Sequence, residues 1–317
     1  MRTPSPVEVV WMLQYPDVMK ILAATDFSPE AHLAVQQAAQ LAARTGSDLV
    51  LVHVEPPAKW LPRGAMSDDT ADQAHAMVES ERQATIARLE ALADELRDDV
   101  PSVHYAATTG YPDEAICESA RELHADLIVT GTHGRTGLRR MWVGSVAERV
   151  TRQSSEPVLV VRKKLAEHGF RRILVATDLS EESERALKWA AALAHTDSAI
   201  DLFYASHPSF GGHDYFASGS AEVGALYDEI EQRAMSTARQ WMEKYGRKGI
   251  DFRFELGRGV AAEMIVERME DRHYDLVALG SHGHRGFRRM MVGSVAEHVL
   301  RHAPCSVLIA HAGTPRT

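Results

Sequence analysis

The chain has 317 residues, of which 45% are hydrophobic and 25% charged, which is ordinary for a globular protein of about two domains. Its formal net charge of −9 argues against nucleic-acid and anionic-membrane binding, because both need a basic surface. Two isolated cysteines make neither a disulfide framework nor a metal motif, so we expect a cytoplasmic protein. Residues 1–18 carry only a short apolar patch and are interpreted as an N-terminal tail.

The predicted elements alternate between strand and helix along the chain. Aliphatic runs predict strands at 19–25, 48–54, 102–108, 126–130 and 157–161, with helices at 29–45, 71–98, 112–124 and 145–154. The same series of elements is then predicted a second time, with strands at 171–177, 199–205, 251–256, 275–279 and 306–310, and helices at 181–195, 219–246, 260–272 and 294–302. Ser28 and Ser180 are predicted helix N-caps. Such alternation favours parallel sheets covered by helices on both faces.

The two halves also repeat each other in sequence. Residues 131–150 recur at 280–299 with 14 of 20 positions identical. In both halves a strand ending in Thr-Asp-x-Ser comes earlier, with its aspartate at Asp26 and Asp178. The polar segment 162–169 reads as a linker. We therefore expect two tandem domains, residues 19–165 and 166–317.

Each half carries a glycine loop between its fourth strand and the next helix. The loop positions are Gly131, Gly134, Gly144 and Ser145, and then Gly280, Gly283, Gly293 and Ser294. Glycines allow close approach of the backbone to a ligand, and the helix N-terminus adds N–H donors for an anion. If strands one and four are neighbours, Asp26 and Asp178 face these loops. A plain turn with a helix cap is the alternative, but its occurrence twice at one spacing favours a phosphate site.

These motifs, Thr-Asp-x-Ser after the first strand and G-x2-G-x9-G-S near the end, resemble the universal stress protein family in its ATP-binding branch. The resemblance covers about residues 19–311 in tandem form. It implies two Rossmann-like α/β domains of the adenine nucleotide alpha hydrolase-like kind. Each would hold a five-stranded parallel sheet of order 3-2-1-4-5.

The resemblance further implies that ATP, with or without Mg²⁺, binds as a regulatory ligand in a stress response. The implied contacts are the nucleoside with Asp26 and Asp178, adenine with the backbone of Val54 and Ala205, the base pocket with Thr130 and Leu279, and the phosphates with the loop glycines and Ser145 or Ser294. It also implies that the two copies form an internal pseudo-dimer through their last strands. A homodimer of the whole chain stays open.

Other functions remain open beside a nucleotide-binding regulator. A slow ATPase is one, although no Walker lysine follows the loops. An interaction scaffold with one or both sites vestigial is another. The segment Gly257–Ala262 matches a dinucleotide fingerprint, but it follows the third strand, where that motif does not belong. No catalytic residue is assigned, and no metal site is expected, because the histidines are judged to lack H-x-x-x-H spacing on a helix.

Overall fold

Strands and helices alternate along the chain in the order that the sequence pattern predicted, apart from two short strands at Ser209–Phe210 and His213–Asp214 that the pattern did not predict. A computed structural model describes residues 19–57, 68–132, 143–163, 169–206, 209–210, 213–214, 221–282 and 292–311. The chain divides into two compact units, residues 1–138 with 144–156 and residues 139–143 with 157–317. Over the described ranges, no helix is long and apolar enough to cross a membrane.

The first unit holds a parallel sheet with helices between its strands. Its elements are β1 (Lys20–Ala24), α1 (Pro29–Thr45), β2 (Asp48–Glu55), α2 (Asp68–Asp94), β3 (Ser102–Thr109), α3 (Pro112–Glu122), β4 (Leu127–Gly131) and α4 (Ser145–Gln153). The strands described in this unit lie in the order β3-β2-β1-β4. Strands one and four are therefore neighbours, which was the condition for Asp26 to face the glycine loop.

The second unit repeats this plan. Its elements are β5 (Val158–Val161), β6 (Phe170–Thr177), α5 (Glu181–Leu193), β7 (Ala194–Ser206), β8 (Ser209–Phe210), β9 (His213–Asp214), α6 (Ala221–Tyr245), β10 (Ile250–Arg258), α7 (Ala261–Arg272), β11 (Leu276–Gly280), α8 (Ser294–His302) and β12 (Ser306–Ala310). The order β10-β7-β6-β11-β12 confirms the expected order 3-2-1-4-5 for the second repeat.

Strand β5, the last strand of the first repeat, belongs to the second unit. It pairs antiparallel with β12, and Leu159 lies opposite Leu308. All four residues of β5 and all five of β12 are buried. Continuous burial of this kind explains why these strands read as unbroken aliphatic runs rather than as an alternating pattern.

Helix α1 shows why these segments are helical. Ser28 Oγ accepts a hydrogen bond from the Ala31 N–H at 3.2 Å, and a proline opens the first turn. Gly46 ends the helix in the left-handed region, with φ 69°. Helix α5 begins in the same way, because Ser180 Oγ accepts from the Ser183 N–H at 3.3 Å. The predicted capping role of the two serines is confirmed.

Strand β7 is longer than the predicted strand 199–205. It begins at Ala194, directly after α5, because Phe170 extends β6 and pairs with Ala194. The register shifts between Phe170 and Arg172, where Ser198 Oγ lies 2.8 Å from the Phe170 carbonyl oxygen. A register shift accompanied by a side-chain hydrogen bond leaves no hydrophobic periodicity, so the sequence did not indicate this extension.

Candidate functional site

The first strand of the first repeat ends in an aspartate that its own turn holds in place. The Ser28 N–H donates to Asp26 Oδ1 at 3.0 Å, and the Phe27 N–H donates to Thr25 Oγ1 at 3.0 Å. Phe27 lies in the left-handed region, with φ 62°, which is uncommon for a bulky residue. The turn therefore fixes the Asp26 carboxylate just beyond the carboxyl end of β1.

The second repeat builds the same turn with Leu179 in place of Phe27. The Ser180 N–H donates to Asp178 Oδ1 at 3.0 Å, and Ser180 Oγ donates to the same oxygen at 2.5 Å. The Leu179 N–H donates to Thr177 Oγ1 at 2.9 Å, and Leu179 has φ 64°. Strained backbone kept twice around an acidic side chain is the kind of feature that marks functional sites.

The glycine loop of each repeat starts at the carboxyl end of the strand next to the one that leads to the aspartate. In the first unit, Ala23 of β1 pairs with Val129 of β4 in parallel register. In the second, Ala176 of β6 pairs with Leu279 of β11. Parallel neighbours in this register end together, so Asp26 and Gly131, like their counterparts in the second repeat, lie at the carboxyl ends of adjacent strands.

The first glycine of each loop packs against the helix that follows the first strand of its repeat, which is α1 in the first repeat and α5 in the second. A β-carbon on Gly131 would stand 2.7 Å from the Glu30 carbonyl oxygen in the first turn of α1. A β-carbon on Gly280 would stand 2.8 Å from Glu182 Cβ in α5. Close approach to a helix, rather than to a ligand, is thus one reason for glycine at these two positions.

The last glycine of each loop opens a helix. The Gly144 N–H donates to the Thr132 carbonyl oxygen, and the Gly293 N–H donates to the Ser281 carbonyl oxygen at 2.7 Å. The next residues, Ser145 and Ser294, are exposed and begin α4 and α8. Since the first N–H groups of a helix have no partner within it, these two ends offer donors and a positive dipole to an anion.

The residues expected around the base lie at the ends of the neighbouring strands. Val54 and Ala205 are partly exposed and hold equivalent places, paired with Thr108 of β3 and Gly257 of β10. Thr130 and Leu279, which precede the first glycines, are buried at 6% and 3% exposure. Gly134 and Gly283 lie outside the described residues.

The residue that precedes Val54 or Ala205 differs between the repeats, being His53 in the first and Tyr204 in the second. The sequence analysis did not predict a role for either residue. His53 Nδ1 donates to the Thr25 carbonyl oxygen at 2.7 Å, and its ring centroid lies 4.8 Å from that of Phe27. The Arg88 guanidinium lies 3.8 Å above the Phe27 ring. In the second repeat Tyr204 takes this place, and burial, followed by the charges of Asp178 and Glu231, raises the pKa of Tyr204. Alignment of the two strands could have revealed the difference.

Each repeat combines hydrogen-bond donors that suit an anion with a carboxylate that accepts hydrogen bonds. Each repeat offers a helix N-terminus, an exposed serine hydroxyl at its first position and a carboxylate at the adjacent strand end. Among the residues that the structure describes, no three His, Cys, Asp or Glu side chains gather where they could hold a metal ion.

One statement about histidines is wrong. The sequence does contain an H-x-x-x-H spacing on a helix, at His298 and His302 of α8. The two rings stack with centroids 4.2 Å apart. The four-residue spacing of these two histidines within a predicted helix is the sequence signal that indicates the pair.

Comparison with known proteins agrees with the repeat. The sequence profile of the Universal stress protein family matches residues 18–162 and again residues 169–311. A universal stress protein of Mycolicibacterium smegmatis is 28% identical over 309 residues, which cover 94% of this chain and 99% of the relative. Another, of Methanocaldococcus jannaschii, is 34% identical over 146 residues, which cover 45% of this chain and 83% of the relative.

A solved structure shows the same fold. The universal stress protein from Archaeoglobus fulgidus DSM 4304 matches with a TM-score of 0.62 at 19% identity, over 93% of this chain and 98% of that chain. At this identity the likeness shows the fold alone. The two matched segments of the family profile, however, span most of the chain. The chain therefore belongs to the universal stress protein family, as two domains of that family in tandem.

Proposed function

We propose that each repeat binds an adenine nucleotide, ATP, and that the nucleotide acts as a regulatory ligand in a cytoplasmic stress response. The observation that carries the proposal is a juxtaposition that occurs twice. In each repeat, an aspartate fixed by its own turn lies at a strand end next to the strand from which the glycine loop leads to a helix N-terminus.

The chemistry of these groups matches the parts of a nucleotide. A carboxylate accepts hydrogen bonds, so Asp26 and Asp178 suit the hydroxyl groups of a ribose. The N-termini of α4 and α8, with Ser145 and Ser294 at their first positions, suit phosphate oxygens. The backbone of Val54 and Ala205 at the strand ends suits the polar edge of adenine, beside the pocket of Thr130 and Leu279.

The last strands support a second part of the proposal. The antiparallel pairing of β5 with β12, with Val158 opposite Ile309, is the pairing expected if the repeats associate through their last strands as a pseudo-dimer. It leaves neither β5 nor β12 exposed as an unpaired edge, which would otherwise invite aggregation.

Nucleotide binding to the full chain tests the proposal. Calorimetric titration with ATP is expected to show two sites per chain. D26A should remove one site and D178A the other, because each loses a charged acceptor, worth about 10- to 100-fold in affinity. D251A removes a carboxylate at the start of β10, at the amino end of the strands rather than at the carboxyl end where Asp26 and Asp178 lie, and should bind as the wild type does. Asp251 is more exposed than those two aspartates and pairs with Arg253.

Two results would count against the proposal. Absence of ATP binding by the full chain would leave the interaction scaffold as the better function. Equal affinities of D26A, D178A and D251A would place the nucleotide elsewhere. Phosphate release from the same samples measures turnover, and turnover lost in D26A and D178A would favour the slow ATPase over a purely regulatory ligand.

A further inference from the structure

We propose that His298 and His302 of α8 form a binding site for a divalent transition-metal ion such as Cu²⁺, Ni²⁺ or Zn²⁺. Side chains four residues apart lie on one face of a helix, and paired imidazoles at this spacing ligate metal in the H-E-x-x-H motif. The two ring centroids are 4.2 Å apart, and the planes are inclined by 27°. The two rings are therefore close neighbours on one face of α8, and rotation out of this stacked arrangement would turn a nitrogen of each toward one ion.

The hydrogen bonding of His302 points to the nitrogen that would bind. Its Nδ1 lies 2.8 Å from the His298 carbonyl oxygen. A carbonyl oxygen only accepts, so Nδ1 carries the proton and Nε2 of the neutral ring keeps its lone pair. Donation of the second ring N–H to a backbone carbonyl is the usual arrangement of histidines that ligate metals, because it fixes the ring and raises the basicity of the ligating nitrogen.

The equivalent helix of the first repeat shows that the pair is particular to α8. The sequences of α4 and α8 align without a gap, so Arg149 and Gln153 occupy the places of His298 and His302. In the first repeat both side chains contact Asp113 of α3, at 3.1 Å and 3.2 Å. The second repeat has alanine, Ala262, in place of Asp113.

The loss of that aspartate changes what the helix face can do. In the first repeat the face is neutralised by an ion pair and a hydrogen bond between helices. In the second, two imidazoles stack on each other instead, and His302 is exposed to solvent. Arg301, which lies between them in sequence, pairs with Glu297 at 2.8 Å, so its charge is compensated beside the site.

Two histidines leave the other coordination positions of the ion to water or to a ligand from another molecule. Structural zinc sites instead use four protein ligands. The site therefore suits an exchangeable ion, and its affinity should follow the order Cu²⁺ above Ni²⁺ above Co²⁺ that imidazole sites show. Protons compete for the same nitrogens, so binding should weaken on acidification.

Titration of the full chain with Cu²⁺ and Zn²⁺, in the absence of nucleotide, tests this site. H298Q and H302Q should each weaken one binding event by at least about tenfold, and the double variant should lose that event. H32Q is the matched control, because His32 is an exposed helical histidine whose neighbour four residues on is a glutamine, Gln36. Paramagnetic resonance with equimolar Cu²⁺ should show two imidazole nitrogens in the wild type.

The chain contains 16 histidines, so only differences from H32Q count. Both substitutions lie on the surface of α8, so we expect the variants to fold. Circular dichroism checks this. Equal binding by H298Q/H302Q and H32Q would overturn the proposal. Full binding by either single variant would also overturn it, because one imidazole would then suffice.

Discussion

Gly131 lies directly against the backbone of Glu30, in the first turn of α1. A β-carbon on this glycine would stand 2.7 Å from the Glu30 carbonyl oxygen and 3.1 Å from the Ala31 nitrogen. Gly280 has the same relationship to Glu182, at 2.8 Å from Cβ and 3.0 Å from the carbonyl carbon. The strand end and the helix that follows the aspartate therefore touch without an intervening side chain, which brings the two halves of the candidate site together.

G131A and G280A are accordingly expected to destabilise the protein. The added methyl group meets backbone atoms that cannot move independently, and overpacking of this kind costs about 1–3 kcal/mol. Urea denaturation measures the loss. G293A should cost less than either G131A or G280A, because Gly293 has φ −65° and a β-carbon there finds its nearest neighbour at 3.4 Å, which leaves only the replacement of a glycine N-cap by the less favourable alanine.

Gly224 supplies a control of the opposite sign. It lies in α6, is exposed, and has nothing within 4 Å of the position of a β-carbon. G224A should therefore stabilise the protein by roughly 0.5–1 kcal/mol, because alanine is the better helix former. Wild-type stability of G131A and G280A would show that the contact with the helix does not require glycine at these two positions.

Substitution of Ser145 and Ser294 should affect ATP affinity without affecting the stability of the fold. Both are exposed at the first helical position, and the N-cap residue before each is a glycine. S145A and S294A should leave the free energy of unfolding within about 0.5 kcal/mol of the wild type, yet lower ATP affinity. S28A removes a true N-cap and should cost about 1 kcal/mol. Unchanged ATP affinity in both loop variants would exclude these hydroxyls from phosphate binding.

Much of the fold could be predicted because the repeat doubles every signal. The strand order of the second repeat was implied by the resemblance to the family, and the capping serines by N-cap preferences. The adjacency of the aspartate to the glycine loop follows once strands one and four are neighbours in a parallel sheet. The start of β7 at Ala194 could not be predicted, since it depends on a register shift near Phe170. Contacts between distant residues of this kind leave no local pattern.

In the candidate site, too, features marked by the local sequence could be predicted, whereas contacts between residues far apart in the chain could not. Asp26 and Asp178 stand at strand ends that the sequence marks, whereas the Arg88 contact with Phe27 joins residues about sixty positions apart. Asp201 is the clearest case. It is buried in β7 beside Tyr274, where the register of the first repeat puts the apolar Val50. A buried carboxylate in a strand becomes understandable only when its distant partner is known.

The two cysteines are expected to be unreactive in the folded protein. Burial raises the pKa of Cys117 and that of Cys305 to about 12, so the reactive thiolate is scarce at neutral pH. A thiol reagent should label them slowly under native conditions and rapidly in urea. Rapid labelling of the native chain would contradict the burial of both thiols.

The same shifts predict a loss of stability in alkali. The folded pKa lies above the unfolded one, so the contribution is intact below about pH 9 and declines as pH rises toward 12. Each thiol contributes a slope of about 1.4 kcal/mol per pH unit within that window. C305A should have a shallower decline between pH 9 and 11 than the wild type, measured by urea denaturation. An equal decline would show that Cys305 ionises alike in both states.

The hydrogen bond from Tyr274 to Asp201 should contribute measurably to stability. The Tyr274 hydroxyl donates to Asp201 Oδ2 at 2.5 Å, and both side chains are only 6% exposed. Y274F leaves that buried carboxylate oxygen without its donor, which should cost about 1.5–3 kcal/mol in urea denaturation. Y111F changes a half-exposed tyrosine and should cost less than about 0.5 kcal/mol.

A double-mutant cycle of Y274F with D201N attributes the loss to this pair. Contacting partners should be coupled by at least about 0.5 kcal/mol. Additive losses would instead mean that each side chain acts through other neighbours, such as Arg272, which lies 3.6 Å from the same Asp201 oxygen. Because the first repeat carries valine in place of Asp201, strong coupling would show that the second repeat depends on a buried polar contact at a position where the first packs a hydrocarbon side chain.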